Sequence, residues 1–318
     1  MRGGLSTSLD WELYRALYRT GDDPFWSCWP HPDLALLSKA LGTTRTTVWR
    51  RLKEWRRIGF IGGYEVIPNP SLMGVGLMLS EVQLSDARSR QSFLNELELI
   101  DGVFVANYDL GPRTTVVSVA DMPASRARRA ELLARIPGVE SVRTIAPVWL
   151  PRCRRPLTAK EWKFLGAVRE SPESSLLELS RKVGVSAKTF SRRYQAVREA
   201  KEVLSYRIED FSRFPGTIAM VIAHLDPRVD PRAVAARVLA RLPTLTEIAS
   251  ITSVPFSPQD RLGFCALVPS ASSLEPIEAG VLEVPGVVKV RTRFRGGERA
   301  YRGWFDERIH QAIGGAAF

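Results

Sequence analysis

At 318 residues, with 45% hydrophobic and 25% charged content, the chain has the make-up of several folded domains, which excludes a disordered or low-complexity polymer. Lysine and arginine number 45 against 34 aspartate and glutamate residues, a net charge of +11 that favours a polyanionic partner. No run approaches the roughly 18 apolar residues of a membrane span and no charged start leads into an apolar signal core. Cys28, Cys153 and Cys265 lie far apart and in no CxxC spacing. A cytoplasmic chain with reduced thiols, no zinc site and no membrane partner is expected.

Leu9, Leu13, Ala16 and Leu17 fall at helical spacing, and Leu34, Leu37, Ala40 and Leu41 form a second apolar stripe. Gly42 ends that second helix, Thr43 or Thr44 caps the next, and Val48, Leu52 and Trp55 at i, i+4 and i+7 are its buried face. At about 100° per residue the opposite face carries Thr46, Arg50, Lys53 and Arg57, with Thr47, Trp49 and Arg51 at its flanks and Arg45 in its first turn. Such side chains suit a major groove and its phosphates. The stretch 60–67 then reads as a wing or connecting strand.

Strands over 76–84, 103–108, 114–119 and 139–146, with helices over 87–97 and 125–134, give the order βαββαβ. That is the ferredoxin-like pattern, one antiparallel sheet with two helices on one face. Pro151 to Pro156, two prolines and three arginines in six residues, reads as a linker.

Beyond the linker the sequence repeats itself. Leu34 to Tyr64 aligns without a gap to Leu176 to Tyr206 at an offset of 142, and IPGVESVRT at Ile136 to Thr144 returns as VPGVVKVRT at Val284 to Thr292 at an offset of 148. In the second reader Phe190, Tyr194 and Val197 take the inner face, which turns Lys188, Arg192 and Gln195 outward with Thr189, Ser191 and Arg193 beside them. A second βαββαβ series follows, with strands at 217–225, 246–252, 262–268 and 287–294 and helices at 232–242 and 274–283. Trp304 to Ile313 is read as a helix docking on the second sheet.

The expected fold class is α+β, two winged helix-turn-helix domains (1–67 and 151–210) alternating with two ferredoxin-like domains (68–150 and 211–318). Packing the two sheets against each other would make the chain a pseudo-dimer. Between 43 and 57, Arg45, Arg50, Arg51, Lys53, Arg56 and Arg57 stand against Glu54; between 186 and 201, Lys188, Arg192, Arg193, Arg198 and Lys201 stand against Glu199. One basic helix is as easily a solvated surface as a reader. Two in the same frame favour double-stranded DNA.

A helix-turn-helix containing RRLKEWRRIGFIGGYEVIPNPSLMG (Arg50 to Gly74), joined to a βαββαβ unit, resembles the leucine-responsive regulator family, Lrp/AsnC. The resemblance covers both halves and is weaker in the second, where Lys201 stands in place of Gly59 and EDFSRFPG (Glu209 to Gly216) in place of NPSLMG. It implies transcription control, DNA bound by the first unit of each half, and small amino-acid-like effectors and homo-oligomers handled by the second. The family's glycine-containing effector turn corresponds to Asp109, Gly111 and Arg113, and in the second half to Ser257 to Gly263.

The enzyme alternative is a siroheme decarboxylase, whose members share the two-unit plan. His31, His224 and His310 are the histidines here, and patterns resembling CYxR and WPYN do not occur. No Ser/His/Asp, Cys/His or carboxylate pair stands out and no cofactor signature is present, so the chain is read as a non-enzyme. A third alternative is an interaction module that has lost DNA readout, to which Trp49 at the helix flank and the Trp/Pro-rich loop Asp22 to Pro32 would contribute contacts.

Overall fold

The computed structural model describes residues 7–19, 32–120, 123–148, 150, 153, 155–214, 216–242, 246–247, 261–268 and 271–314. Each of two three-helix units is followed by an α/β series. The first unit is α1 (Thr7–Arg19), α2 (Leu34–Ala40) and α3 (Arg45–Arg57). Asp33 caps α2 by accepting from the amides of Ala35 and Leu36, and Thr44 caps α3 by accepting from Thr47. In the second unit, α6 (Ala159–Glu170) and α7 (Leu176–Val183) begin in capping boxes, Thr158 with Glu161 and Ser175 with Glu178, and Ser186 caps α8 (Ala187–Glu199). His31, Cys28 and most of the Asp22 to Pro32 loop lie outside the described residues.

The strands read as wings or connecting strands do not form wing hairpins. β1 (Ile61–Pro68) and β6 (Val203–Glu209), each following one three-helix unit, pair with each other antiparallel, Tyr64 opposite Arg207 and Val66 opposite Ser205. Both are buried along most of their length, so neither can extend into solvent toward DNA.

All pairings in the eight-stranded sheet are antiparallel. The first series contributes β2 (Gly76–Leu84), α4 (Arg90–Glu96), β3 (Val103–Asp109), β4 (Arg113–Ala120), α5 (Pro123–Ala134) and β5 (Val139–Val148). The second contributes β7 (Thr217–Leu225), α9 (Pro231–Arg241), β8 (Thr246–Glu247), β9 (Arg261–Val268), α10 (Glu275–Leu282) and β10 (Val287–Ala300). Their order is β5-β2-β4-β3-β10-β7-β9-β8. Of the strand read over 246–252, the part beyond Glu247 falls outside the described residues.

β10 runs six residues past the expected end at Phe294 and joins the two series. It pairs with β7 from Val287 to Phe294, then with β3 from Arg295 to Ala300, with a register shift between Arg295 and Gly297. Glycine is needed there because a Cβ on Gly296 or Gly297 would stand 2.7 or 2.5 Å from the Tyr108 side chain. The sheet does not continue flat. β5 and β9 are six strand spacings apart, roughly 29 Å in a flat sheet, yet Arg143 on β5 and Arg261 on β9 line one cavity. The halves therefore fold toward each other, and Arg293 on β10 reaches Glu81 on β2 at 3.3 Å.

The helix-covered faces have separate cores, Val82, Leu84, Phe93, Leu97 and Val116 under α4 and α5, and Val221, Val234, Val238, Phe264 and Val281 under α9 and α10. The other faces are covered crosswise. Trp55, Tyr14 and Phe60 of the first half pack on Phe211, Phe214, Ile218 and Cys265 of the second. Phe164, Phe190 and Val197 of the second pack with Val66, Leu72 and Met73 of the first. The C-terminal helix α11 (Gly303–Ile313) docks on the first half of the sheet, contrary to expectation. Phe305 meets Phe104 of β3 edge to face, with centroids 5.4 Å apart, and Ile309 enters the α6 core. The chain reaches that side because the extended β10 delivers it there.

Candidate nucleic-acid interface

Helix α3 is anchored by Val48, Leu52 and Trp55, all buried, and Trp55 Nε1 donates to Asp10 on α1 at 3.1 Å. Burial raises the Asp10 carboxyl above its ordinary value against the opposing pull of Arg51 and Trp55. With that face fixed, Arg45, Thr46, Trp49, Arg50, Lys53, Arg56 and Arg57 are exposed. Arg45 and Arg50 have no ion pair among the described residues. Lys53 lies over the Trp49 ring, Nζ to centroid 5.1 Å.

Three of the residues read as DNA-facing have other engagements. Arg51 is half-buried and turns inward, 3.7 Å from the fully buried Asp10, so it does not project with Arg50 and Lys53. Thr47 is half-buried and occupied by the helix cap, its hydroxyl 2.9 Å from that of Thr44. Arg57 grips Glu54 with two bonds, 2.7 and 2.6 Å, and holds that carboxyl below its ordinary range. Being exposed, this pair can open at little cost.

Helix α8 repeats the pattern with different letters. Phe190 and Val197 are buried and Tyr194 partly so, while Lys188, Ser191, Arg192 and Gln195 are exposed. Arg193 turns inward, its guanidinium 5.5 Å from the Phe164 ring centre, as Arg51 does in α3. Thr189 serves the Ser186 cap, and Gln195 donates to Glu199 at 2.9 Å. Lys188 and Arg192 have no ion pair among the described residues. Arg56, not singled out in sequence, bridges the units by lying 3.6 Å from Glu173 in the turn before α7.

The turn read as an effector site is split up by the fold. Gly111 and Leu110 carbonyls accept from Arg90 at 2.6 and 2.9 Å, closing the turn against α4. Asp109 lies 3.9 Å from Arg293, with burial raising its carboxyl against the pull of three arginines. Only Arg113 of the three faces the cavity between the sheet halves. His224 lines the same cavity, and among the described residues no His, Cys, Asp and Glu cluster could hold a metal. No described helix is long and apolar enough to cross a membrane.

No protein-family model matches the chain. A solved structure of the siroheme decarboxylase NirDL is similar over 96% of this chain and 99% of its own, with a TM-score of 0.51 and 11% identity, a likeness of fold alone. The leucine-responsive regulatory proteins of Klebsiella pneumoniae and Escherichia coli K12 are each 32% identical over 120 residues, covering 34% of this chain and 69% of theirs. By that likeness the chain belongs to the leucine-responsive regulator family, Lrp/AsnC.

Proposed function

We propose that the chain is a sequence-specific, double-stranded-DNA-binding transcription regulator with two nonidentical readers. The carrying observation is that Arg45, Arg50, Lys188 and Arg192 stand exposed on α3 and α8 with no ion pair among the described residues, while Arg51 and Arg193 are turned inward. Exposed arginines on a helix anchored by its other face suit guanine edges and phosphates. In this reading α2–α3 and α7–α8 are helix-turn-helix units, within 1–67 and 151–210. The two sheet halves with their helices are ferredoxin-like units, 68–150 and 211–318, and an internal duplication stands in for a homodimer. The resemblance to NirDL along the full chain supports this plan and carries no chemistry at 11% identity. Catalysis is not part of the reading, and a small effector would act through the sheet units.

The test is binding of the purified chain to random and selected duplexes across a salt series. Enrichment of one site with a steep salt slope, about −0.9 in log K per phosphate neutralised, supports the reading. Failure to bind duplex DNA at low salt would remove it, and a coloured purified protein would turn attention to tetrapyrrole chemistry.

A further inference from the structure

The cavity between the sheet halves measures about 270 Å³, and six of its ten described lining residues come in matched pairs. Arg113 and Arg261 stand 148 positions apart in sequence, as do Arg143 and Arg291, the offset that separates the two PGV segments. Gln83 and His224 hold the eighth position of β2 and of β7. Each half of the chain thus sends an arginine from the same two places in its sequence to one cavity.

The lining is strongly positive. Arg113, Arg143, Arg261, Arg291 and Arg293 converge on it, with Glu81 the one lining carboxylate among the described residues. Glu81 already accepts from Arg143 at 2.7 Å and faces Arg293 at 3.3 Å. Burial works to raise its carboxyl, but Arg293 and Arg143 outweigh burial and keep it below the ordinary range, so it stays ionised. Arg113 is shifted down, first by burial and then by the like charge of Arg293, with Arg291 adding to the effect. Glu81 and Asp109 offset part of the charge on Arg293 and Arg113, and the crowded guanidiniums in a partly enclosed space still make the cavity attractive to an anion.

We infer that this cavity binds a compact anion with an acidic group at each end, a polycarboxylate or a diphosphate, its two ends shared among the Arg113/Arg261 and Arg143/Arg291 pairs. Bidentate recognition of carboxylate or phosphate is what arginine geometry suits. An amino acid is a poor fit, since its ammonium would meet the same arginines. The volume, just under the roughly 300–1,000 Å³ of pockets for drug-sized ligands, sets the scale as a small metabolite. A regulatory meaning for the anion rests on the reading of the chain as a DNA-binding regulator; the binding does not.

The test is calorimetric titration of the full chain, without DNA, with inorganic pyrophosphate and with citrate, beside acetate and L-leucine. One site per chain is expected for at least one of the first two, with Kd below about 1 mM and weaker at higher salt. Binding of pyrophosphate alone assigns a phosphate ligand, and of citrate alone a carboxylate. Arg113→Gln and Arg291→Gln should each weaken it at least tenfold. Because both remove like-charge repulsion, the unliganded variants should melt no lower than the parent. Absence of binding by both anions, equal binding of L-leucine, undiminished binding in both variants, or lower melting of both would overturn the inference. Duplex binding measured in parallel separates the two readings: loss of either one alone removes only its own reading.

Discussion

Arg169 on α6 donates to Glu65 on β1 at 2.9 Å, and both are almost fully buried. The pair joins the second three-helix unit to the strand that follows the first, and Arg302 and Asp306 close the network from the C-terminal end. Removing Glu65 leaves a guanidinium in the interior with Asp306 as its remaining carboxylate. Glu65→Ala is expected to cost about 3 kcal/mol in urea unfolding. A loss below about 1 kcal/mol would show that the pair contributes little beyond replaceable packing.

Lys201 ends α8 with φ at +56°, where Gly59, the equivalent position after α3, has +77°. A side chain in this left-handed region costs about 1 kcal/mol. Lys201→Gly should therefore stabilise the chain by about that amount, read as a shift of the denaturation midpoint at unchanged slope. An unchanged or lowered midpoint would show that the lysine side chain makes a compensating contact.

Under the proposed function, the different exposed faces Thr46/Arg50/Lys53 and Lys188/Arg192/Gln195 predict half-sites of different sequence. Site selection should return a non-palindromic operator, and a perfect palindrome would contradict it. Arg50→Ala and Arg192→Ala should each cost about 1–3 kcal/mol of binding and relax preference at one position. Arg51→Ala, one residue away but turned toward Asp10, should lower stability and leave base preference intact. Loss of base preference in Arg51→Ala would mean that α3 presents a different face to DNA.

Glu298 is buried on β10 beside Arg295 at 2.7 Å. Burial is the largest influence, and with Glu209 nearby it raises the carboxyl to about 7 despite Arg295. Below its ordinary value of 4.5 the group is neutral folded or unfolded. As pH rises beyond that, the unfolded chain ionises first, and stability is lost until the folded carboxyl has also ionised near 7. Glu298→Gln holds the neutral form, so its stability relative to the parent should improve by up to about 2 kcal/mol between pH 5 and 8. Parallel pH profiles for the two proteins would refute this.

The local elements were legible in sequence because their signals are local. β2 and β7 fill the spans that strand periodicity assigns them, and α3 begins after the Thr44 cap. The second half of β10 was missed because Arg295 to Ala300 is polar and glycine-containing, and it becomes strand only through pairing with β3. The docking of α11 was misjudged for the same reason. On α3 and α8, helical angles separated inner from outer residues, but Arg51 and Arg193 sit at the flank, where Asp10 and Phe164 decide their direction. Of the cavity arginines, Arg143 and Arg291 were visible as letters in two aligned segments. Their convergence depends on how the sheet bends.

The crosswise packing also sets the order in which the chain can fold during synthesis. Phe60 stacks edge to face on Phe214 at 4.7 Å between centroids, and the two are 154 positions apart. At about 5–20 residues per second the ribosome takes roughly 8 to 30 s to supply the second ring after the first. The aromatic floor of the first three-helix unit stays open for that interval, as a hydrophobic surface that nascent-chain chaperones can reach.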